Sequence, residues 1–176
     1  GVSCFDKLNG FFGLAIYNKA NNEVIIARDR YGIKPLYYFL DEDKFAFASE
    51  IRSLMAYNIP KEINQVGLTQ YFQFNYIPEP QTIYRNIFAL EQGHYLKIKG
   101  NQSQKPVSYI TSTQTEHSVS NYGQAKEKLQ ELLLKSVEYR LIADVPVGSF
   151  LSGGIDSTVI TGLASKIHPG IHTFSI

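Results

Sequence analysis

The sequence predicts a mixed α/β chain of two unlike parts. A strand-rich α+β region comes first, and the opening βαβ unit of a parallel sheet follows. Three observations carry that reading. Of the 23 Tyr and Phe residues, 19 fall at positions 1–109 and four after them. In the first part, β-branched and aromatic runs come in pairs separated by short polar turns, the mark of antiparallel hairpins. In the second, an apolar helical face leads into strand, glycine loop, helix and strand, the order of a βαβ crossover.

Composition limits the function classes. The chain has 176 residues, 44% of them hydrophobic, enough for one domain or slightly more. Lys plus Arg number 17 and Asp plus Glu 16, for a net charge of +1. That charge is spread evenly, which argues against nucleic acid or an anionic membrane as partner. The single cysteine, Cys4, excludes a disulfide framework and a cysteine-cage metal site. The longest apolar run, 11–17, falls well short of the ~18 residues that span a bilayer. The first residues lack a signal-peptide layout, so a cytoplasmic location is expected.

The elements follow in order. Phe12, Leu14 and Ile16 alternate, polar residues fill 18–22, and a β-branched run resumes at 23–27, giving a first hairpin. Runs at 36–40 and 44–48 flank the acidic turn Asp41-Glu42-Asp43 and give a second. Between them, Arg28, Asp29, Arg30 and Lys34 form a charged connector. It reads either as an anion site or, by preference, as a brace of ion pairs and hydrogen bonds. Ser49 is expected to cap a short helix reaching Tyr57. Asn64 is expected to cap another, with Leu68, Tyr71 and Phe72 on one face. Residues 94–99 alternate as a half-exposed strand. The Ser/Thr/Gln-rich stretch 111–119 reads as a linker. Ala125, Leu129, Leu132, Leu133, Val137 and Leu141 recur at helical spacing. Strands are expected at 144–151 and 172–176, with a helix between them that Pro169-Gly170 ends.

The sharpest chemical signal is Ser152-Gly153-Gly154-Ile155-Asp156-Ser157 at the strand-to-helix junction. Two glycines let backbone N–H groups approach an anion, and a helix N-terminus adds partial positive charge. Ser152 and Ser157 add hydroxyl donors. Asp156 would repel a bare phosphate, which points to a bridging cation such as Mg²⁺. The Walker A pattern is absent. A plain glycine turn with an acidic helix start is the competing reading, and the strand before and helix after weigh against it.

This hexapeptide resembles the pyrophosphate loop of ATP pyrophosphatases. Five further blocks resemble the glutamine-hydrolysing asparagine synthetases, in that family's order. They are 27–38, with Arg28-Asp29-Arg30-Tyr31-Gly32-Ile33-Lys34-Pro35 at its centre, Phe47-Ala48-Ser49-Glu50-Ile51, 74–84, Gly93-His94-Tyr95-Leu96 and 139–148. Glu91-Gln92 departs from the Pro that commonly precedes the family's Gly-His-Tyr segment.

The resemblance implies the C-terminal portion of an αββα N-terminal-nucleophile glutaminase domain at 1–110 and a linker at 111–119. At 120–176 it implies the first βαβ unit of a parallel-sheet ATP-pyrophosphatase domain. The implied reaction is ATP-dependent conversion of aspartate and glutamine-derived ammonia to asparagine through an acyl adenylate. ATP and Mg²⁺ are the implied cofactors. Glutamine, aspartate and ATP are the substrates, and the intact protein is expected to be a homodimer. Ser152, Gly153, Gly154, Asp156 and Ser157 are the implied pyrophosphate site, with Asp156 as metal ligand and Phe150 and Leu151 on the adenine side. Cys4 is not the glutaminase nucleophile, because its surroundings match an internal family segment. That catalyst is expected before Gly1, and the 176 residues are expected to be an inactive fragment. Two alternatives remain: a sibling amidation forming a lactam, peptide or sugar amide, or a non-catalytic remnant acting by association.

Overall fold

A computed structural model describes residues 1–100, 102–110 and 121–175. It divides into two compact units, Gly1–Thr113 and Gln114–Ile176. The expected linker, 111–119, lies outside the described residues.

The first unit opens with a 3-10 segment, Val2–Lys7. Then come β1 (Gly13–Asn18), β2 (Glu23–Arg28), β3 (Tyr37–Leu40) and β4 (Phe45–Ala48). Helices α1 (Ile51–Met55) and α2 (Gln65–Phe74) follow. Strands β5 (Ile87–Ala89), β6 (His94–Lys99), β7 (Gln102–Ser103) and β8 (Val107–Ser108) complete the unit. Both expected hairpins form. Gly13 pairs with Arg28 across β1–β2, and Tyr37 with Ala48 across β3–β4. One sheet runs β1-β2-β6-β7 with β8 also on β6, and a second runs β4-β3-β5.

Period-two alternation explains how the sheets stack. Ile26, Leu96 and Ile98 of the first sheet bury against Tyr38, Leu36 and Leu90. On the other face of β2, Ala27 packs with Phe5 and Tyr109. On the other face of β3, Phe39 packs with Ile87 and with Leu54 of α1. A central strand here buries both faces, so its sequence is nearly all apolar rather than alternating.

One expectation about helices is corrected. The cap of α1 is Glu50, not Ser49: its backbone is extended, and its carbonyl accepts from the Ser53 N–H. Asn64 does cap α2, its side chain accepting from the Val66 N–H at 3.1 Å. The Tyr71 and Phe72 face of α2 is not buried, however: they are 48% and 76% exposed. The helix meets its neighbour near its N-terminal end, where buried Gly67 lies against the Thr82 carbonyl.

The second unit contains α3 (Tyr122–Arg140), β9 (Gly148–Phe150), α4 (Ile155–Ile167) and β10 (His172–Phe174). Strands β9 and β10 pair in parallel, Gly148 opposite His172 and Phe150 opposite Phe174. With α4 between them they form a βαβ unit. β9 is shorter than the expected 144–151; Pro146, with no N–H to donate, falls in the part that does not pair. Val137 of α3 and Ala164 of α4 are buried, whereas Leu129 and Leu132 farther up α3 are more than half exposed.

Candidate functional site

The candidate site is built where β9 runs into α4. β9 ends at Phe150, whose ring lies 6.2 Å from that of Phe174. The next residue, Leu151, donates its N–H to the Phe174 carbonyl at 2.8 Å, so the strand edge is held to the loop's threshold. Gly153 then adopts φ +79°, a conformation that L side chains rarely take. Gly154 returns to extended backbone as the N-cap of α4.

No side chain caps α4. Its first turn therefore lacks a side-chain acceptor, the arrangement that suits an anion. The Gly154 carbonyl accepts from the Ser157 hydroxyl at 3.0 Å, the Thr158 hydroxyl at 2.8 Å and the Thr158 N–H at 3.1 Å. The Ser152 and Ser157 hydroxyls meet across the loop at 3.1 Å. A Cβ added at Gly154 would come within 3.6 Å of the Ser152 Oγ and 3.9 Å of the Ser157 Oγ. Ser152, Gly153, Gly154 and Ser157 therefore present hydroxyl and backbone groups on one exposed turn.

Asp156 sits in the first turn of α4 and is exposed. Among the described residues no group of three or more His, Cys, Asp and Glu side chains is placed to hold a metal. A single carboxylate does not make a resident metal cage. It fits Mg²⁺ carried on a nucleotide, where phosphate oxygens and water supply the other ligands. Phe150 is 78% exposed at the strand end and Leu151 is half-buried beside it.

The charged connector resolves as a brace. Arg28 is buried and its guanidinium is spent on the Lys34, Gly32 and Leu90 carbonyls, at 2.8, 2.8 and 2.7 Å, and on Glu79 at 2.8 Å. Asp29 is fully buried and accepts from the N–H groups of Tyr31, Ile33 and Lys34. Burial pushes its carboxyl up, but those N–H groups, Lys34 foremost, outweigh it and hold the pKa below the ordinary carboxylate value. Arg30 pairs with Asp6 at 2.8 Å. The Arg28 guanidinium is thereby fully engaged within the protein. Cys4 is exposed in the 3-10 segment.

Two features were not anticipated from sequence. Thr82 is buried and its hydroxyl donates to the Ile87 carbonyl at 2.7 Å. Ser149, the lone hydroxyl in an apolar strand, meets the Thr161 hydroxyl of α4 at 2.8 Å. Its polarity within 145–151 was the signal available.

Family comparison matches the glutamine amidotransferase domain over residues 1–110 and asparagine synthase over 128–176. The chain belongs to the glutamine-hydrolysing asparagine synthetase family. It is 38% identical over 170 residues to asparagine synthetase [glutamine-hydrolyzing] 1 of Bacillus subtilis, covering 97% of this chain and 27% of that protein. It is 33% identical over 181 residues to the putative asparagine synthetase [glutamine-hydrolyzing] 2 of Methanocaldococcus jannaschii, covering 100% of this chain and 35% of that protein. A Gibberella zeae relative with a different name, amidase chry2, is 31% identical over 170 residues, covering 95% of this chain and 25% of that protein. The chain thus spans about a third or less of the length of these relatives.

Proposed function

We propose that the intact protein makes asparagine from aspartate, ATP and ammonia released from glutamine. The observation that carries this is the Ser152-Gly153-Gly154-Ile155-Asp156-Ser157 loop. It stands at the head of a 13-residue helix in a parallel βαβ unit, within a chain that synthetases match along its length.

In this reading the acceptor carboxylate attacks the α-phosphorus of ATP and pyrophosphate leaves. Ammonia then attacks the acyl carbon and AMP leaves. Ser152, Gly153, Gly154 and Ser157 receive the pyrophosphate through N–H groups and hydroxyls aimed at its oxygens before the bond breaks. Such preset donors stabilise the charge that develops on a leaving group. Asp156 would hold Mg²⁺, which neutralises phosphate charge when bound. Phe150 and Leu151 border the adenine. Residues 1–110 belong to the ammonia-producing domain, 111–119 to a linker and 120–176 to the synthetase domain; the nucleophile for glutamine is none of these residues. The assembly is a homodimer in the cytoplasm. No helix among the described residues is long and apolar enough to cross a membrane.

A second reading has one observation in its favour. The relative named as an amidase matches nearly as much of this chain as the named synthetases do. The same chemistry on another acid would use the same loop. Pyrophosphate release from the intact protein, measured with aspartate and with a panel of other carboxylic acids, separates the two. Release with aspartate supports the first reading; release with another acid alone supports the second.

A further inference from the structure

The Ser152–Ser157 contact is one of two hydroxyl pairs joining the β9 segment to α4. Ser152 meets Ser157 at 3.1 Å, and Ser149 meets Thr161 at 2.8 Å. Their spacing is regular. Ser149 and Ser152 are three residues apart along the strand and loop. Ser157 and Thr161 are four apart on the helix, so they lie one turn apart on the same face. The pairs therefore stack as two rungs between one helix face and the chain that leads into the loop.

The rungs differ in environment. Ser152 is exposed, and its partner's hydroxyl also bonds the Gly154 carbonyl, so a ligand can displace this contact and take both hydroxyls. The Ser149–Thr161 rung is partly buried between strand and helix, below the loop. Ser149 also lines a cavity with Arg140, Leu141 and Ile160, one that neither Ser152 nor Ser157 borders. The rung ties β9 to α4 from either side of the loop.

We propose that Ser149 and Thr161 are positioning residues for the nucleotide. Their hydrogen bond sets the loop in its phosphate-receiving shape before ATP arrives, while the Ser152–Ser157 rung opens to receive the pyrophosphate. The inference rests on the ATP reading of the loop. A preset geometry avoids ordering the loop during binding, so losing it weakens affinity without removing a ligand contact.

The test is magnesium pyrophosphate binding by calorimetry, together with KM for ATP and for aspartate, on the intact protein. Thr161→Val is expected to weaken pyrophosphate binding and raise KM for ATP by roughly five- to tenfold. KM for aspartate and the glutaminase rate stay within about twofold, and Thr161→Ser restores wild-type values. The double variant Ser149→Ala, Thr161→Val leaves no orphaned hydroxyl, so its thermal stability is expected to match wild type while the affinity loss persists. Unchanged pyrophosphate affinity in both Thr161→Val and the double variant overturns the proposal. So does a loss that tracks lowered stability and spreads equally to aspartate. A wild-type protein that binds no magnesium pyrophosphate overturns the ATP reading itself, and this inference falls with it.

Discussion

Asp29 is a fully buried charge in the first unit. Its buried carboxylate holds the connector closed through three backbone N–H groups. The folded carboxyl binds its proton less tightly than the unfolded one. Its stabilisation is therefore present above the ordinary carboxylate pKa and disappears as pH falls through the lowered folded value. Asp29→Asn keeps one acceptor and turns an amide N–H onto its former partners. A loss of about 2–3 kcal/mol at pH 7 is expected in thermal or urea unfolding. The variant's melting temperature should also fall less steeply than wild type's below about pH 4. The loop glycines separate two effects at the same scale. At Gly153 a methyl meets no atom within 4 Å, but φ is +79°. Gly153→Ala should therefore destabilise by about 1 kcal/mol through backbone strain. At Gly154 the backbone is ordinary and the methyl would stand beside the hydrogen-bonded Ser152 and Ser157 hydroxyls. Gly154→Ala should cost no more than about 1 kcal/mol, the penalty of Ala at an N-cap, and cut pyrophosphate affinity by roughly tenfold in calorimetry.

At the scale of elements, the hairpins, α2 and the βαβ order were legible because local signals sufficed. Alternation in 12–16 and 23–27, the Asn64 cap and the break at Pro169 are each written in a few neighbouring residues. What α2 packs against was not legible. Spacing placed Leu68, Tyr71 and Phe72 on one face, but a helix buries the face its neighbour reaches, and here the neighbour reaches Gly67. A Cβ there would clash with the Thr82 carbonyl, which is backbone and cannot rotate away. Gly67→Ala should destabilise by about 2 kcal/mol, read in unfolding, whereas Phe72→Ala should change stability by less than about 0.5 kcal/mol. The same limit applies to α3, whose regular apolar spacing is buried only at Val137. The short strands β5, β7 and β8, of two or three residues each, exist only through their partners β3 and β6. Periodicity cannot show itself in so few residues.

At the scale of the molecule, the chain joins residues that match a glutamine amidotransferase domain to residues that match asparagine synthase. The site loop was readable because glycine pairs, hydroxyls and a helix start have their chemistry in sequence order. The Ser149–Thr161 rung was not, because its residues meet only after α4 has folded back on β9. The Arg28 brace lay between the two: its charges were visible, but not its carbonyl partners at Gly32, Lys34 and Leu90. We propose that the loop at 152–157 receives pyrophosphate and Asp156 its magnesium. The most direct test is the identity of the nucleotide products formed by the intact protein with aspartate, glutamine and ATP. AMP and pyrophosphate are predicted, with release abolished in Asp156→Ala while glutamine hydrolysis continues. ADP and phosphate as products, or a wild-type rate of pyrophosphate release in Asp156→Ala, would contradict it.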